Sequence, residues 1–312
     1  MTERHNCVLA ADLGGTKIRA GVFGRDNRCL FALQRPTDVS AGRDAVVHSL
    51  CAALQQAAAW AEAQGLAAAG IGISTAGVVD AGRGVIADAT DAIPQWRGTP
   101  LAALLREAFG LPVAVENDVK AALLGELCKS GELAADADLR RGMVVMLTLG
   151  TGLGGAIAED GRLRAGRQFV AGHFGRSRVP DPWTPGLMTP LDALVSGTGL
   201  ANIANHLCGQ EQFENGHEVL QALAEGDSHA AAARDQFAAL LAMVLENIYW
   251  TLDPAAVVLG GGLTEARAHW WPALQAALAA RQCNLPLRPA ALANDAGTQG
   301  AAQLIWQQLG EG

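Results

Sequence analysis

Charge is sparse in this chain. Asp, Glu, Lys and Arg make up 17% of its 312 residues, and no basic cluster exceeds Leu139-Arg-Arg141. The formal net charge is −8, which argues against a nucleic-acid surface. Cysteine is also scarce. The six (Cys7, Cys29, Cys51, Cys128, Cys208 and Cys283) form no C-x-x-C pair, and they read as reduced thiols of a cytoplasmic protein. No long apolar run exists either: Phe237 to Leu245, between Gln236 and Glu246, is too short to span a bilayer and reads as a buried helix. Met1-Thr-Glu-Arg-His-Asn6 lacks an apolar segment, so no secretory signal is expected. What the chain has in quantity is glycine, 37 residues, within a half-apolar composition. That describes an ordered, loop-rich globular protein, and the length favours two domains.

Two of the glycine-rich segments answer each other. Asp12-Leu-Gly-Gly-Thr-Lys17 and Leu149-Gly-Thr-Gly-Leu-Gly-Gly155 each follow an apolar, β-branched run and lead into another. Each predicts a strand, a tight turn and a returning strand. Gly14, Gly15, Gly150 and Gly152 let backbone N–H groups approach an anion, and Thr16, Thr151 and Lys17 add hydroxyl donors and a positive charge. Asp12, at the end of the first strand, is placed to hold a phosphate-bound Mg²⁺ through water. One such turn is a common hairpin. A pair suggests a duplicated phosphate clamp and a phosphotransferase.

Around these turns the patterning predicts strands at Cys7–Ala11, Ile18–Phe23 and Cys29–Leu33, then a helix at Arg43 to Gln64, a strand at Ala69–Ser74, and a helix at Pro100–Phe109. A strand Pro112–Glu116 runs into a helix Val119–Lys129, giving a mixed sheet with helices on its faces. The pattern restarts with strands Met143–Leu149 and Gly154–Ala158. Helices Leu191–His206, Val219–Ala224 and Ala230–Leu252 follow, then strands Ala256–Leu259 and Leu285–Leu292 and a helix Thr298–Gln308. Arg164 to Pro190, rich in Gly, Pro and Arg, reads as a long loop.

These motifs, together with Gly70-Ile-Gly-Ile-Ser-Thr-Ala-Gly-Val-Val-Asp80, Glu116-Asn-Asp-Val119, Ala171-Gly-His-Phe-Gly175, Ser196-Gly-Thr198 and Val257-Val-Leu-Gly-Gly-Gly262, resemble the ROK family of repressors, open reading frames and sugar kinases, nearly end to end. The resemblance implies an α/β protein of the actin-like ATPase (ribonuclease H-like) fold, with two domains around a central cleft. The small domain would comprise residues 1–117 plus 296–312, and 118–295 would form the large one with the second phosphate loop and adenosine site. It also implies an ATP-dependent kinase acting on the 6-hydroxyl of a hexose or N-acylhexosamine, with ATP and Mg²⁺ as cofactors. Partners would be small molecules and a second copy of the chain in a homodimer, with no nucleic acid and no membrane.

Carried over residue by residue, the resemblance makes Asp118 the base that accepts the sugar proton and Asn117 a sugar ligand. The plainer reading of an Asx pair before a helix is a cap. Gly260, Gly261 and Gly262 would line the adenosine pocket, although such a run also suits an ordinary strand-to-helix turn. Gly77 and Thr90 are placed toward the sugar, and Trp96 is most simply a packing residue. His173 stands where most ROK kinases have a sugar-contacting Glu, as in the N-acetylmannosamine kinase branch, and points to that substrate, with glucose or N-acetylglucosamine as alternatives. Asp192 matches a sugar-contacting Glu but is one methylene shorter. Arg176 replaces the family's zinc-binding His, and Pro180-Asp-Pro-Trp-Thr-Pro-Gly-Leu-Met-Thr189 replaces its Cys run, so no structural zinc is expected. A repressor would need a DNA-binding segment before the first phosphate loop, where the sequence leaves no room. A catalytically weak sugar-binding protein is opposed by the retention of Asp12, Thr16, Asp118 and Thr151.

Overall fold

The computed structural model describes residues 6–40, 42–90, 93–128, 139 and 141–310. Its strands are β1 (Asn6–Leu13), β2 (Lys17–Phe23), β3 (Cys29–Pro36), β4 (Ala67–Thr75), β5 (Val78–Asp80), β6 (Val85–Asp88), β7 (Val113–Asn117), β8 (Met143–Leu149), β9 (Leu153–Glu159), β10 (Arg162–Leu163), β11 (Arg178–Pro180), β12 (Met188–Pro190), β13 (Ala256–Gly260) and β14 (Leu287–Pro289). Its helices are α1 (Arg43–Ala63), α2 (Leu101–Phe109), α3 (Asp118–Leu127), α4 (Gly197–Cys208), α5 (Gly216–Ala224), α6 (Ser228–Leu252), α7 (Trp271–Ala280) and α8 (Ala296–Gln308). Two compact units result. One holds residues up to 140, 161–171 and 291 onward; the other holds 141–160 and 172–290.

In the first unit one sheet has the order β3-β2-β1-β4-β7. β1 runs antiparallel to β2 and parallel to β4, and β4 is parallel to β7. The inner strands read as near-continuous apolar runs because helices cover both faces. α1 packs on one face through Val46, Leu50, Leu54, Ala57 and Ala61, at helical spacing. α8 packs on the other through Ala301, Ala302, Ile305 and Trp306, against Val8, Ala10, Phe23 and Ala114. β3, at the edge, is mostly exposed.

The second unit repeats the pattern. β8 and β9 form an antiparallel hairpin, and β8, β13 and β14 are parallel neighbours. The sequence-predicted hairpin around each glycine turn is therefore present: Leu13 pairs with Ile18, and Leu149 with Leu153. α6 supplies Phe237, Leu241, Leu245 and Ile248 to the core beneath this sheet.

The structure departs from the sequence reading in several places. α3 lies within the first unit, whereas the family resemblance implies a boundary at 117. The cause is the crossing of α3 with α8. A Cβ on Gly125 would strike the Ala296 carbonyl, and one on Gly300 the Ala121 carbonyl, so the two backbones touch. The helix expected over Leu191–His206 starts only at Gly197. Ser196 adopts an extended backbone (φ −157°) as its N-cap, and Leu191–Ala193 form a separate 3-10 turn. The strand expected at Leu285–Leu292 contracts to Leu287–Pro289, because prolines 286 and 289 have no N–H to give a ladder. The loop 164–190 contains the antiparallel pair β11–β12. α7 was not anticipated; Pro272 at its first turn and buried Leu274 and Leu278 were its signals.

Candidate active site

Polar side chains gather at the carboxyl ends of the first unit's parallel strands, the edge where open α/β sheets bind ligands. Asp12 and Ser74 are the penultimate residues of β1 and β4, and Asn117 is the last residue of β7. The Ser74 hydroxyl donates to Asp12 Oδ1 at 2.6 Å. The Asp12 carboxylate also lies against the first turn of α8, where a Cβ on Gly297 would meet its oxygens at 2.9 Å. Burial raises the Asp12 pKa, while the Ser74 hydroxyl and the Arg19 and Lys17 charges pull it down.

Asn117 is the N-cap of α3. Its side-chain oxygen accepts from the Val119 and Lys120 N–H groups at 3.1 and 3.2 Å. Its amide nitrogen donates to the Gly77 carbonyl and to Asp118 Oδ1, at 2.8 and 2.7 Å. The capping role is thus present, and it also orients Asp118. Asp118 Oδ1 takes a second bond from the Val119 N–H at 2.9 Å. Both of these bonds fall on Oδ1. Desolvation and then the like charge of Asp12 push the Asp118 carboxyl up to about 6.

Gly77, at φ +107°, bends the chain between β4 and β5, and a Cβ there would strike the Asp88 carbonyl at 2.7 Å. Thr90 is exposed just beyond β6; Asp91 and Ala92 of the turn leading to Trp96 lie outside the described residues. Trp96 itself is fully buried in the core of this unit. In the first loop, the Gly14 N–H donates to the Lys17 carbonyl at 3.0 Å, and the Thr37 hydroxyl holds the Gly14 carbonyl at 2.7 Å. Thr16 and Lys17 are exposed.

The second unit brings Gly150, Thr151 and Gly152 together with the 260–262 run. Gly261, at φ +88°, lies against Leu149, where a Cβ would meet its backbone at 2.6 Å. Asp192 Oδ1 accepts from the Leu153 N–H at the end of the same loop. His173 is half-buried just before the 3-10 turn Phe174–Arg176.

Two groups escaped the sequence reading. Lys120 is fully buried in α3, its Nζ donating to the Phe169 carbonyl at 2.7 Å, and burial lowers its pKa. Glu116, also buried, accepts from the Asn117 N–H at 2.8 Å, and burial raises its carboxyl. Glu116 lies in β7 and Lys120 in α3, so no single strand or helix period links the two in the sequence. Among the described residues no group of three or more His, Cys, Asp or Glu is placed to hold a metal ion. Mg²⁺ keeps several waters and completes its shell with phosphate oxygens, so one or two carboxylates of a protein are enough to hold it. Asp12 offers one such carboxylate, and its charge adds to the burial that pushes Asp118 up.

The sequence profile of the ROK family matches residues 8–308, so the chain belongs to the ROK family. Its fold is the actin-like ATPase fold of that family. It is similar to the ROK hexokinase from Thermus thermophilus (TM-score 0.83, 32% identity, 98% of this chain and 100% of that one). It is likewise similar to a ROK glucokinase from Streptomyces griseus in complex with glucose and AMPPNP (TM-score 0.74, 29% identity, 96% and 98% of the two chains). An N-acetyl-D-glucosamine kinase from Vibrio cholerae serotype O1 is 32% identical over 81% of this chain and 83% of its own length.

Proposed function

We propose that this chain is an ATP-dependent sugar kinase that phosphorylates the 6-hydroxyl of a hexose or N-acylhexosamine, with N-acetylmannosamine as its preferred substrate. The observation that carries this reading is Asp118: a carboxylate at a strand end, oriented by Asn117, raised to about 6, and beside a second carboxylate. Phosphoryl transfer to an alcohol needs a base within reach of the attacking hydroxyl, and one whose pKa lies near the working pH.

Asp118 Oδ2 takes the hydroxyl proton as the sugar oxygen attacks the γ-phosphorus, and the bond from that phosphorus to the β,γ-bridging oxygen breaks to release ADP. Asn117 keeps the other carboxylate oxygen fixed, so the acceptor lone pair points one way. Gly14, Gly15, Thr16 and Lys17 present N–H, hydroxyl and ammonium donors to phosphate, as do Gly150, Thr151 and Gly152 from the second loop. Gly260 to Gly262 let the nucleoside approach the backbone. Asp12 would hold Mg²⁺ through water, and that cation supplies charge neutralisation at the phosphates. Gly77 and Thr90 border the sugar, and His173 contacts it. An imidazole offers single contacts where a carboxylate can accept from two hydroxyls.

The similarity to the V. cholerae kinase favours N-acetylglucosamine as a second reading. A panel of kcat/KM values decides between them. N-acetylmannosamine is expected to give the highest value. A value for glucose or N-acetylglucosamine about tenfold higher, about 1.4 kcal/mol in transition-state binding, would overturn the substrate assignment.

A further inference from the structure

The second Gly/Thr loop is held from one side by a single short stretch, 192–198. The Gly197 N–H donates to the Gly150 carbonyl at 2.7 Å, and the Thr198 N–H to the Thr151 carbonyl at 3.3 Å. These are donors that the first turn of α4 cannot use within its own helix. The Gly199 N–H is taken by the Ser196 hydroxyl at 3.0 Å, and that hydroxyl donates to the Asp192 carbonyl at 2.7 Å. The Asp192 side chain closes the circuit by accepting from the Leu153 N–H.

The packing around that carboxylate is specific. A Cβ on Gly152 would lie 2.6 Å from Asp192 Oδ1, and one on Gly175 would strike the Leu153 carbonyl and lie 3.3 Å from the same Oδ1. Both flanking glycines leave the space that lets the short aspartate reach the loop backbone. The missing methylene relative to the family's Glu thus has a consequence: the carboxylate sits at the loop.

We propose that Asp192 is a positioning residue that braces the second Gly/Thr loop in the shape that receives nucleotide phosphates, in place of a contact to the sugar. For the nucleotide, this rests on the kinase reading. The bracing itself rests on hydrogen bonds and packing within one compact unit. A loop whose donors must point at phosphates gains from being held before the ligand arrives, since ordering it on binding would weaken affinity.

Asp192→Ala and Asp192→Asn separate the two roles. Amide exchange across 150–155 is measured first, on the protein without ligand. The alanine variant is expected to exchange at least about tenfold faster there, and the asparagine variant, which keeps an acceptor oxygen, to restore most of the protection. Binding of the non-hydrolysable nucleotide AMPPNP with Mg²⁺, measured by calorimetry, should weaken about five- to tenfold in the alanine variant. In turnover, the KM for ATP should rise while the KM for the sugar stays within about twofold. Gly175→Ala, which wedges a methyl between Leu153 and Asp192, should reproduce the exchange and nucleotide effects if Asp192→Ala does not fold. Unchanged exchange with a sugar KM raised about tenfold would overturn the proposal in favour of a sugar contact. A wild-type protein that phosphorylates no sugar would defeat the kinase reading and leave the exchange result to decide the brace.

Discussion

In the proposed mechanism a single carboxylate, Asp118, carries the chemistry, and its environment sets the pH range in which it can work. Asp118 is raised to about 6 by desolvation and by Asp12. A base must be ionised to accept a proton, so kcat/KM for the sugar is expected to fall as pH drops through about 6 and to level off above it. A profile whose acid limb lies near 4 would show that the burial and the neighbouring charge do not act. The same shift has a cost in stability. The folded value lies above the ordinary 3.8, so the native state binds more protons than the unfolded chain between those two values. The contribution is therefore fully present below 3.8 and lost as pH rises through about 6. Asp118→Asn, neutral throughout and still offering an Oδ1 to Asn117 and Val119, should raise the melting temperature at pH 8 and lose that gain near pH 4. Thermal melts at the two pH values check the sign.

Among the elements, the crossing of α3 and α8 decides how firmly Asp118 is seated, because α3 begins at that residue. Gly300 and Gly125 allow the helix backbones to touch. A methyl at 300 meets the Ala121 carbonyl, which belongs to the helix backbone and cannot swing aside. Gly300→Ala is expected to destabilise by about 1–3 kcal/mol through overpacking, measured by urea denaturation. Gly65→Ala, where a Cβ meets nothing within 4 Å but the backbone has φ +72°, should cost through backbone strain instead. Much of this level could be read from the sequence. The alternation of apolar runs with Gly turns located β1, β2, β8 and β9, and the long 3.6-residue periods located α1 and α6. The late start of α4 was hidden, because Leu191, Leu194 and Val195 continue a helical stripe while turning through a different backbone. The site was legible as a set of residue types at Asp12, Asn117 and Asp118. What the sequence did not show was where hydrogen bonds would go: the amide of Asn117 onto Asp118, the carboxylate of Asp192 onto Leu153, and Lys120 onto Phe169. Those depend on turns of one or two residues, such as the 3-10 segment before Ser196, that local patterning does not determine.

Across the whole molecule, each compact unit carries one Gly/Thr turn between two antiparallel strands, beside a parallel neighbour strand that ends in further polar or glycine residues. A structural zinc site needs four nitrogen or sulfur ligands, and the segment 180–189 offers none. That segment is instead closed by the β11–β12 pair, with the Trp183 ring stacked on His206 at 4.7 Å. The purified protein is expected to hold no stoichiometric zinc and to keep its melting temperature in the presence of EDTA. Elemental analysis giving about one zinc per chain would contradict this. We propose that the chain transfers a phosphoryl group from ATP to a sugar with Asp118 as the base. A coupled-enzyme measurement of ADP release, run across a sugar panel with the wild-type chain and with Asp118→Asn, tests it most directly. Sugar-dependent ADP release by the wild type is expected, with a loss of about 10²–10⁴-fold in the variant and sugar binding retained. Release that does not depend on added sugar, or an Asp118→Asn rate within a few fold of wild type, would contradict it.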